Sequence, residues 1–224
     1  MGHMMNGKWV NDDRIPADAR GDFQRPDSQS RHWVTPEGSA GPSGSDGFKA
    51  EPGRYHLFVS YSCPWAHRTI IFRKLKKLEN VDSLSLADKP KSEGWSYSAG
   101  IDDLRPCDDG IFRLYQVYAA ADGNYTGKVT VPTLWDRERR TIVNNESSEI
   151  IRMLNASFRA HTDAAYDFYP EELRAEIDRI NAVVYSDFNN GVYRAGFARS
   201  QEAYQEGPRK IFHCLDMKEK LLGG

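Results

Sequence analysis

Cys63 stands in the run Tyr61-Ser62-Cys63-Pro64-Trp65-Ala66-His67-Arg68, where a β-prone segment gives way to a helical one. A thiol at the start of a helix meets unpaired backbone N–H groups and the positive end of the helix dipole. Both favour thiolate, the nucleophilic form, and lower the pKa below the free value of ~8.5. Pro64 suits the first helical position because it has no N–H to leave unsatisfied. His67 and Arg68 add positive charge, but at this point in a helix they read as surface residues. Three positions after Cys63 comes Ala66, so no second thiol is placed to close an internal disulfide. A covalent intermediate on Cys63 must be released by an external thiol, and glutathione is the abundant cytosolic candidate. The competing account is a buried structural cysteine, which the strand-to-helix placement and Pro64 disfavour. Cys107 and Cys214 have no such setting and read as packing residues.

Two further signals follow in order. Pro132, in Val129-Thr130-Val131-Pro132, interrupts a strand-like run. A proline there cannot donate to a ladder, so it belongs at an edge or in a cis peptide. A cis peptide would leave the N–H and C=O of Val131 free to pair with an extended ligand, as in strand addition. The plain alternative is an edge-strand proline. Next, Glu146-Ser147 opens a helix. Backbone N–H groups with the Ser147 hydroxyl suit a carboxylate, and Glu146 suits an ammonium, so the pair matches the α-amino acid end of a γ-glutamyl group. Capping alone also enriches such residues at helix starts.

The elements that position these residues are legible in outline. Residues 54–60 read as a strand, 66–78 as a helix with Ile70, Ile71, Leu75 and Leu78 on its apolar side, and 81–87 as a second strand, giving a right-handed β-α-β unit with a parallel pair. Residues 88–105 read as a loop carrying Trp95 and Tyr97, and 111–121 as a helix. A strand interrupted by Pro132 spans 128–136, its hairpin partner 139–144. A helix follows Asn145, with Glu146 and Ser147 in its first turn. Residues 170–222 read as helical with one break at Asn189-Asn190-Gly191. The expected fold is therefore an α/β thioredoxin-like domain, 53–158, followed by an all-α domain, 165–224. Residues 1–52 read as an N-terminal arm outside the core, rich in Asp, Ser, Gly and Pro, either solvated or pinned onto the body by Phe23 and Trp33. Met1-Gly2-His3-Met4 reads as an expression scar.

Composition removes several function classes. No apolar stretch approaches the ~20 residues that span a bilayer, so no membrane partner is expected. The net charge of −2, with no Lys/Arg-rich block, lacks the footprint of a nucleic-acid binder. The three cysteines are scattered and odd in number, which argues against a disulfide framework and for a reducing, cytoplasmic setting. No cysteine pair has metal-site spacing, and no metal is expected.

With these pieces in order, the chain resembles the xi-class glutathione transferases, the glutathionyl-hydroquinone reductases. The resemblance runs from about Trp9 to Leu222. It rests on Phe48-Lys49-Ala50-Glu51 through Arg54-Tyr55-His56-Leu57, on Ser62 to Arg68, on Val129 to Asp136, on Asn145 to Arg152, and on Asn189 to Ala198. It implies reduction of S-glutathionyl-hydroquinones through a Cys63–glutathione mixed disulfide, with glutathione as co-substrate. It further implies that Glu146 and Ser147 hold the γ-glutamyl end, Val131 and Pro132 the peptide backbone, and Trp95 covers the glutathione, while Tyr193 faces the aromatic ring. A homodimer is expected for a full-length member. The family's helical domain extends beyond Gly224, so the resemblance implies a fold incomplete at the C-terminus. Two alternatives stay open: a general monothiol deglutathionylase of omega or glutaredoxin type, and a non-catalytic glutathione-binding module.

Overall fold

The computed structural model describes residues 2–12, 15–88, 93–97 and 112–223. The chain divides into two units, residues 1–13 with 28–168, and residues 14–27 with 169–224.

The first unit is built on a four-stranded mixed sheet. Its strands are β5 (Tyr55–Val59), β6 (Ser83–Leu86), β7 (Thr133–Asp136) and β8 (Thr141–Asn144), in the order β6-β5-β7-β8. β5 runs parallel to β6, with Leu57 opposite Leu84, and antiparallel to β7, with Leu57 opposite Leu134. β7 and β8 form the expected hairpin, with a bulge at Leu134–Trp135. β5 and β7 are buried along their whole length, as suits central strands covered on both faces. Between β5 and β6 lies α1 (Pro64–Leu75), which completes the expected β-α-β unit, and it packs against α3 (Ser147–Ala156). A further helix, α2 (Leu114–Ala121), lies against β8. Trp135, Tyr55, Tyr97, Tyr118 and Phe58 are the largest buried side chains of this core.

Residues 1–52 depart from the expectation of an arm outside the core. They carry the hairpin β1 (His3–Met5) and β2 (Lys8–Val10) and the parallel pair β3 (Trp33–Thr35) and β4 (Gly47–Lys49). Val34, Phe48 and Ala50 belong to the central core cluster, and Met4, expected in an expression scar, is fully buried with its N–H bonded to the Gly127 carbonyl at 2.8 Å. Polar composition misleads here because a few apolar residues, spaced along an otherwise hydrophilic segment, suffice to anchor it. Residues 14–27 go to the second unit instead.

That second unit holds α4 (Arg174–Val183), a π-helical stretch at Val184–Asn189, α5 (Asn190–Phe197) and α6 (Gln201–Gly223). The break expected at Asn189-Asn190-Gly191 is not there. The helical path runs through it and turns at 198–200. Gly191 serves close packing instead: a Cβ on it would stand 3.0 Å from the Ile211 side chain. Among the described residues no helix is long and apolar enough to cross a membrane. Cys107 and most of the 88–105 loop lie outside the described residues.

Candidate active site

β5 delivers the chain to the site. Ser60 follows it, and the hydroxyls of Ser60 and Ser62 meet at 3.0 Å, while the Cys63 N–H bonds the Ser60 carbonyl at 3.3 Å. This tight turn places Cys63 as the N-cap of α1, in extended conformation (φ −102°, ψ 112°), with Pro64 at the first helical position. The half-buried thiol donates to the Val131 carbonyl across 3.5 Å. Ala66 is fully buried in the core, so the position one turn on from Cys63 offers no resolving thiol. Cys214, buried in α6, has the packing role expected of it.

Val131 is 4 % exposed, and its peptide to Pro132 is cis. The Val131 N–H finds no hydrogen-bond partner among the described residues. Tyr118 of α2 organises this loop: its hydroxyl lies 3.3 Å from the Thr130 carbonyl and 3.1 Å from the Thr133 hydroxyl. The same hydroxyl accepts from the Asn145 amide at 3.0 Å, so one buried phenol ties the Val131 loop to the start of α3.

Glu146 caps α3 rather than lying in its first turn. Its Oε1 accepts from the Ser148 N–H (3.1 Å) and hydroxyl (2.9 Å), and its own N–H bonds Asn144 Oδ1 at 2.7 Å. The segment before β3 straps this corner. Ser28 donates to Glu146 Oε2 at 3.2 Å, the Asn145 N–H bonds the Ser30 carbonyl, and the His32 N–H bonds the Val143 carbonyl. Ser147 is 3 % exposed. From α1, Arg68 reaches across to it: Nε and Nη2 both donate to the Ser147 hydroxyl oxygen, at 3.0 and 2.6 Å, and Nη2 stands 3.6 Å from Glu146 Oε1. The Arg68 guanidinium also lies over the Trp65 ring, 5.2 Å from its centroid.

Cys63, Val131, Pro132, Glu146 and Ser147 are thus gathered in the first unit on the ends of β5, β7 and β8. Trp95 is not tied to them: its half-buried ring packs on the core, and its carbonyl accepts from the Leu114 N–H at 3.0 Å. Tyr193 sits in the second unit on α5, its ring 6.3 Å from Phe23 and with the Arg25 guanidinium 4.2 Å from its centroid. Three contributors had no separate signal in the sequence: Arg68, read as a surface residue; Tyr118, one aromatic on an apolar helix; and Ser28, inside the arm. Only the five-residue spacing of Arg68 from Cys63, one and a half helical turns, hinted that its side chain could reach past the thiol's helix end.

A thioredoxin-like sheet with a single thiol at the N-terminus of one helix, packed beside a second helix that starts with Glu-Ser, defines a glutathione-transferase type of domain. Residues 62–157 match the family model of the glutathione S-transferase N-terminal domain. The chain is 47 % identical over 229 residues to glutathionyl-hydroquinone reductase YqjG of Escherichia coli strain K12, covering all of this chain and 69 % of that protein. It is 46 % identical over 225 residues to glutathionyl-hydroquinone reductase PcpF of Sphingobium chlorophenolicum, again covering all of this chain and 69 % of the relative. Among solved structures, glutathione-bound YqjG superposes with a TM-score of 0.85 at 43 % identity, over 99 % of this chain and 67 % of the other. The Xi-class transferase of Natrialba magadii also gives 0.85, at 38 % identity, over 100 % and 66 %. The chain belongs to the glutathionyl-hydroquinone reductases of the xi-class glutathione transferases, and it spans about two thirds of the length of these relatives.

Proposed function

We propose that this protein reduces S-glutathionyl-hydroquinones to hydroquinones at the expense of glutathione. The observation that carries the reading is a lone thiol at the N-terminus of α1, 3.5 Å from the Val131 carbonyl, with a buried alanine where a resolving cysteine would stand. The relatives named for this reaction, and the glutathione bound in one of them, support it. In the first step the Cys63 thiolate attacks the conjugate sulfur. The sulfur–carbon bond breaks, the ring carbon leaves with the electron pair and takes a proton, and a Cys63–glutathione disulfide forms. In the second step a glutathione thiolate attacks the glutathione sulfur of that disulfide and releases Cys63 as thiolate. Two glutathione sulfurs end as glutathione disulfide, and their two electrons have reduced the ring carbon. The helix dipole favours the thiolate as attacker and as leaving group.

In this reading Glu146 takes the ammonium and Ser147 the carboxylate of the γ-glutamyl group. The unpartnered Val131 N–H and its carbonyl pair with the peptide backbone. Trp95 covers the glutathione and Tyr193 faces the aromatic ring. Within the first unit we assign the thioredoxin-like, glutathione-binding domain to 53–158, with the N-terminal segments packed on it, and the helical domain to the stretch of the second unit from 169. Consumption of glutathione by a reduced thiol fits a reducing compartment, and we assign the protein to the cytoplasm, acting on glutathione and its aromatic conjugates, with a homodimer as the state of the full-length member.

Mass spectrometry after mixing with an S-glutathionyl-hydroquinone tests the chemistry. One glutathione added at Cys63, free hydroquinone in solution, and loss of the adduct on adding glutathione are expected. An unmodified Cys63 in protein that still binds glutathione would leave only a binding module. Equal turnover of mixed disulfides and quinone conjugates would instead favour a general deglutathionylase.

A further inference from the structure

The guanidinium of Arg68 is the one contact at the Glu146–Ser147 corner that the proposed scheme leaves without a task. It makes a forked approach to a single hydroxyl oxygen, with Nε at 3.0 Å and Nη2 at 2.6 Å from Ser147 Oγ. A serine hydroxyl has two acceptor lone pairs and one proton. With both lone pairs engaged by Arg68, the proton can only be donated, and no described residue accepts it. The Ser147 backbone N–H, first in α3, has no described acceptor either. Two donors on one residue that is 3 % exposed therefore await an acceptor, beside a cation that does not deprotonate in proteins.

The neighbouring donors are already committed. The Ser148 N–H and hydroxyl go to Glu146 Oε1, and the Glu149 N–H goes to the Glu146 carbonyl. Glu146 Oε2 accepts from Ser28. The corner is thus split between an anionic end, Glu146, and a donor end, Ser147 backed by Arg68, with the Arg68–Glu146 approach of 3.6 Å holding the two in register. Such a split matches a group with an ammonium and a carboxylate on one carbon.

Resting on the glutathione reading above, we propose that Arg68 is the residue that makes this corner selective for the α-carboxylate of the γ-glutamyl group. It orients the Ser147 proton toward that carboxylate and supplies the positive charge behind it. The hydrogen bonds it makes go to Ser147 and not to the thiol, so its effect is assigned to binding of glutathione.

Calorimetric binding of glutathione, and of the 4-aminobutyryl-cysteinyl-glycine analogue that lacks only the α-carboxylate, tests this on wild type, Arg68→Gln and Arg68→Lys. Wild type is expected to prefer glutathione by about 10–100-fold, the range for hydrogen bonds to a charged group. Arg68→Gln should bind the analogue as wild type does and lose most of the preference, and Arg68→Lys, which keeps the charge without the fork, should fall between. If Arg68→Gln weakens both ligands by the same factor, Arg68 is only structural and the proposal is overturned. A wild type that forms the Cys63 adduct yet binds both ligands equally overturns it while the reductase reading stands. Failure of wild type to bind glutathione or form the adduct overturns both.

Discussion

At the scale of single residues, Cys63 and Ala66 decide which thiol chemistry is open. Replacing Cys63 by serine should lower turnover by about 10³-fold or more while glutathione still binds, read by steady-state rates and calorimetry. Ala66→Cys should convert the site to a dithiol, since residues one helical turn apart at a helix start are within disulfide reach. Under mild oxidant the variant should lose both thiols to titration and accumulate no glutathione adduct. Persistence of the adduct would mean that the buried Ala66 position cannot turn its sulfur toward Cys63. Away from the site, His56 of β5 is a buried base. Its Nδ1 accepts from Arg137 at 3.3 Å, which leaves Nε2 to donate to Ser85 at 2.8 Å. Burial, helped by Arg137, pushes it from 6.5 down to about 3. The unfolded chain binds the proton near pH 6.5 and the folded chain only near pH 3. The stabilisation by neutral His56 is therefore whole above pH 6.5 and is lost as the pH falls toward 3. Asp82, pushed up to about 6 by burial against the pull of Arg73, works in the opposite sense: its contribution is whole below pH 3.8 and lost as pH rises through about 6. Comparing denaturant midpoints of wild type and His56→Gln across pH removes that shared background. The variant should lack a loss on the order of 2–3 kcal/mol at pH 4.

At the scale of elements, the strap from Ser28 to His32 and the α5–α6 pair are the parts whose role could not be read from local sequence. Ser28→Ala removes one bond to Glu146 and should raise the KM for glutathione by about 2–10-fold with kcat unchanged, the effect of a single hydrogen bond. A fall in kcat alone would place the strap's effect at Cys63 instead. In the second unit, two glycines on these helices have opposite surroundings. A Cβ on Gly207 would stand 3.0–3.1 Å from Ala195, including its backbone, whereas nothing lies within 4 Å of one on Gly196. Gly207→Ala should destabilise the protein by about 1–2 kcal/mol through overpacking. Gly196→Ala should stabilise it by about 0.5–1 kcal/mol, because helical alanine gains what glycine loses in backbone entropy. Thermal unfolding midpoints moving in the same direction for both would contradict this packing. The π-helical stretch, the turn at 198–200 and the strap all depend on what lies across from them, so periodicity along the chain gave no sign of where they would fall.

At the scale of the whole molecule, the second unit bears exposed apolar side chains on α5 and α6, among them Val192 (51 %), Phe212 (65 %) and Leu222 (85 %). Exposed apolar clusters of this kind mark surfaces that associate, and the proposed homodimer would use them. Light scattering should give a mass above that of one chain, falling toward the single-chain value at low concentration. Phe212→Glu should shift that equilibrium to the monomer without lowering the unfolding midpoint, since the ring is exposed. A wild-type mass that stays at one chain at every concentration would dismiss the dimer.

Local chemistry determined a good deal. The β-α-β unit, the hairpin after Pro132, the helix after Asn145 and the choice of Cys63, Val131 and Glu146-Ser147 all follow from alternation, helical spacing and capping, which act over a few residues. Tertiary structure alone decided that the polar first fifty residues enter the core through Val34 and Phe48, that Glu146 is held by Ser28, and that Arg68 turns inward to Ser147. Each of these joins residues far apart in the chain, Arg68 and Ser147 by 79 positions. A contact at such separation is set by the packing of α1 on α3 and leaves no periodic trace in the sequence.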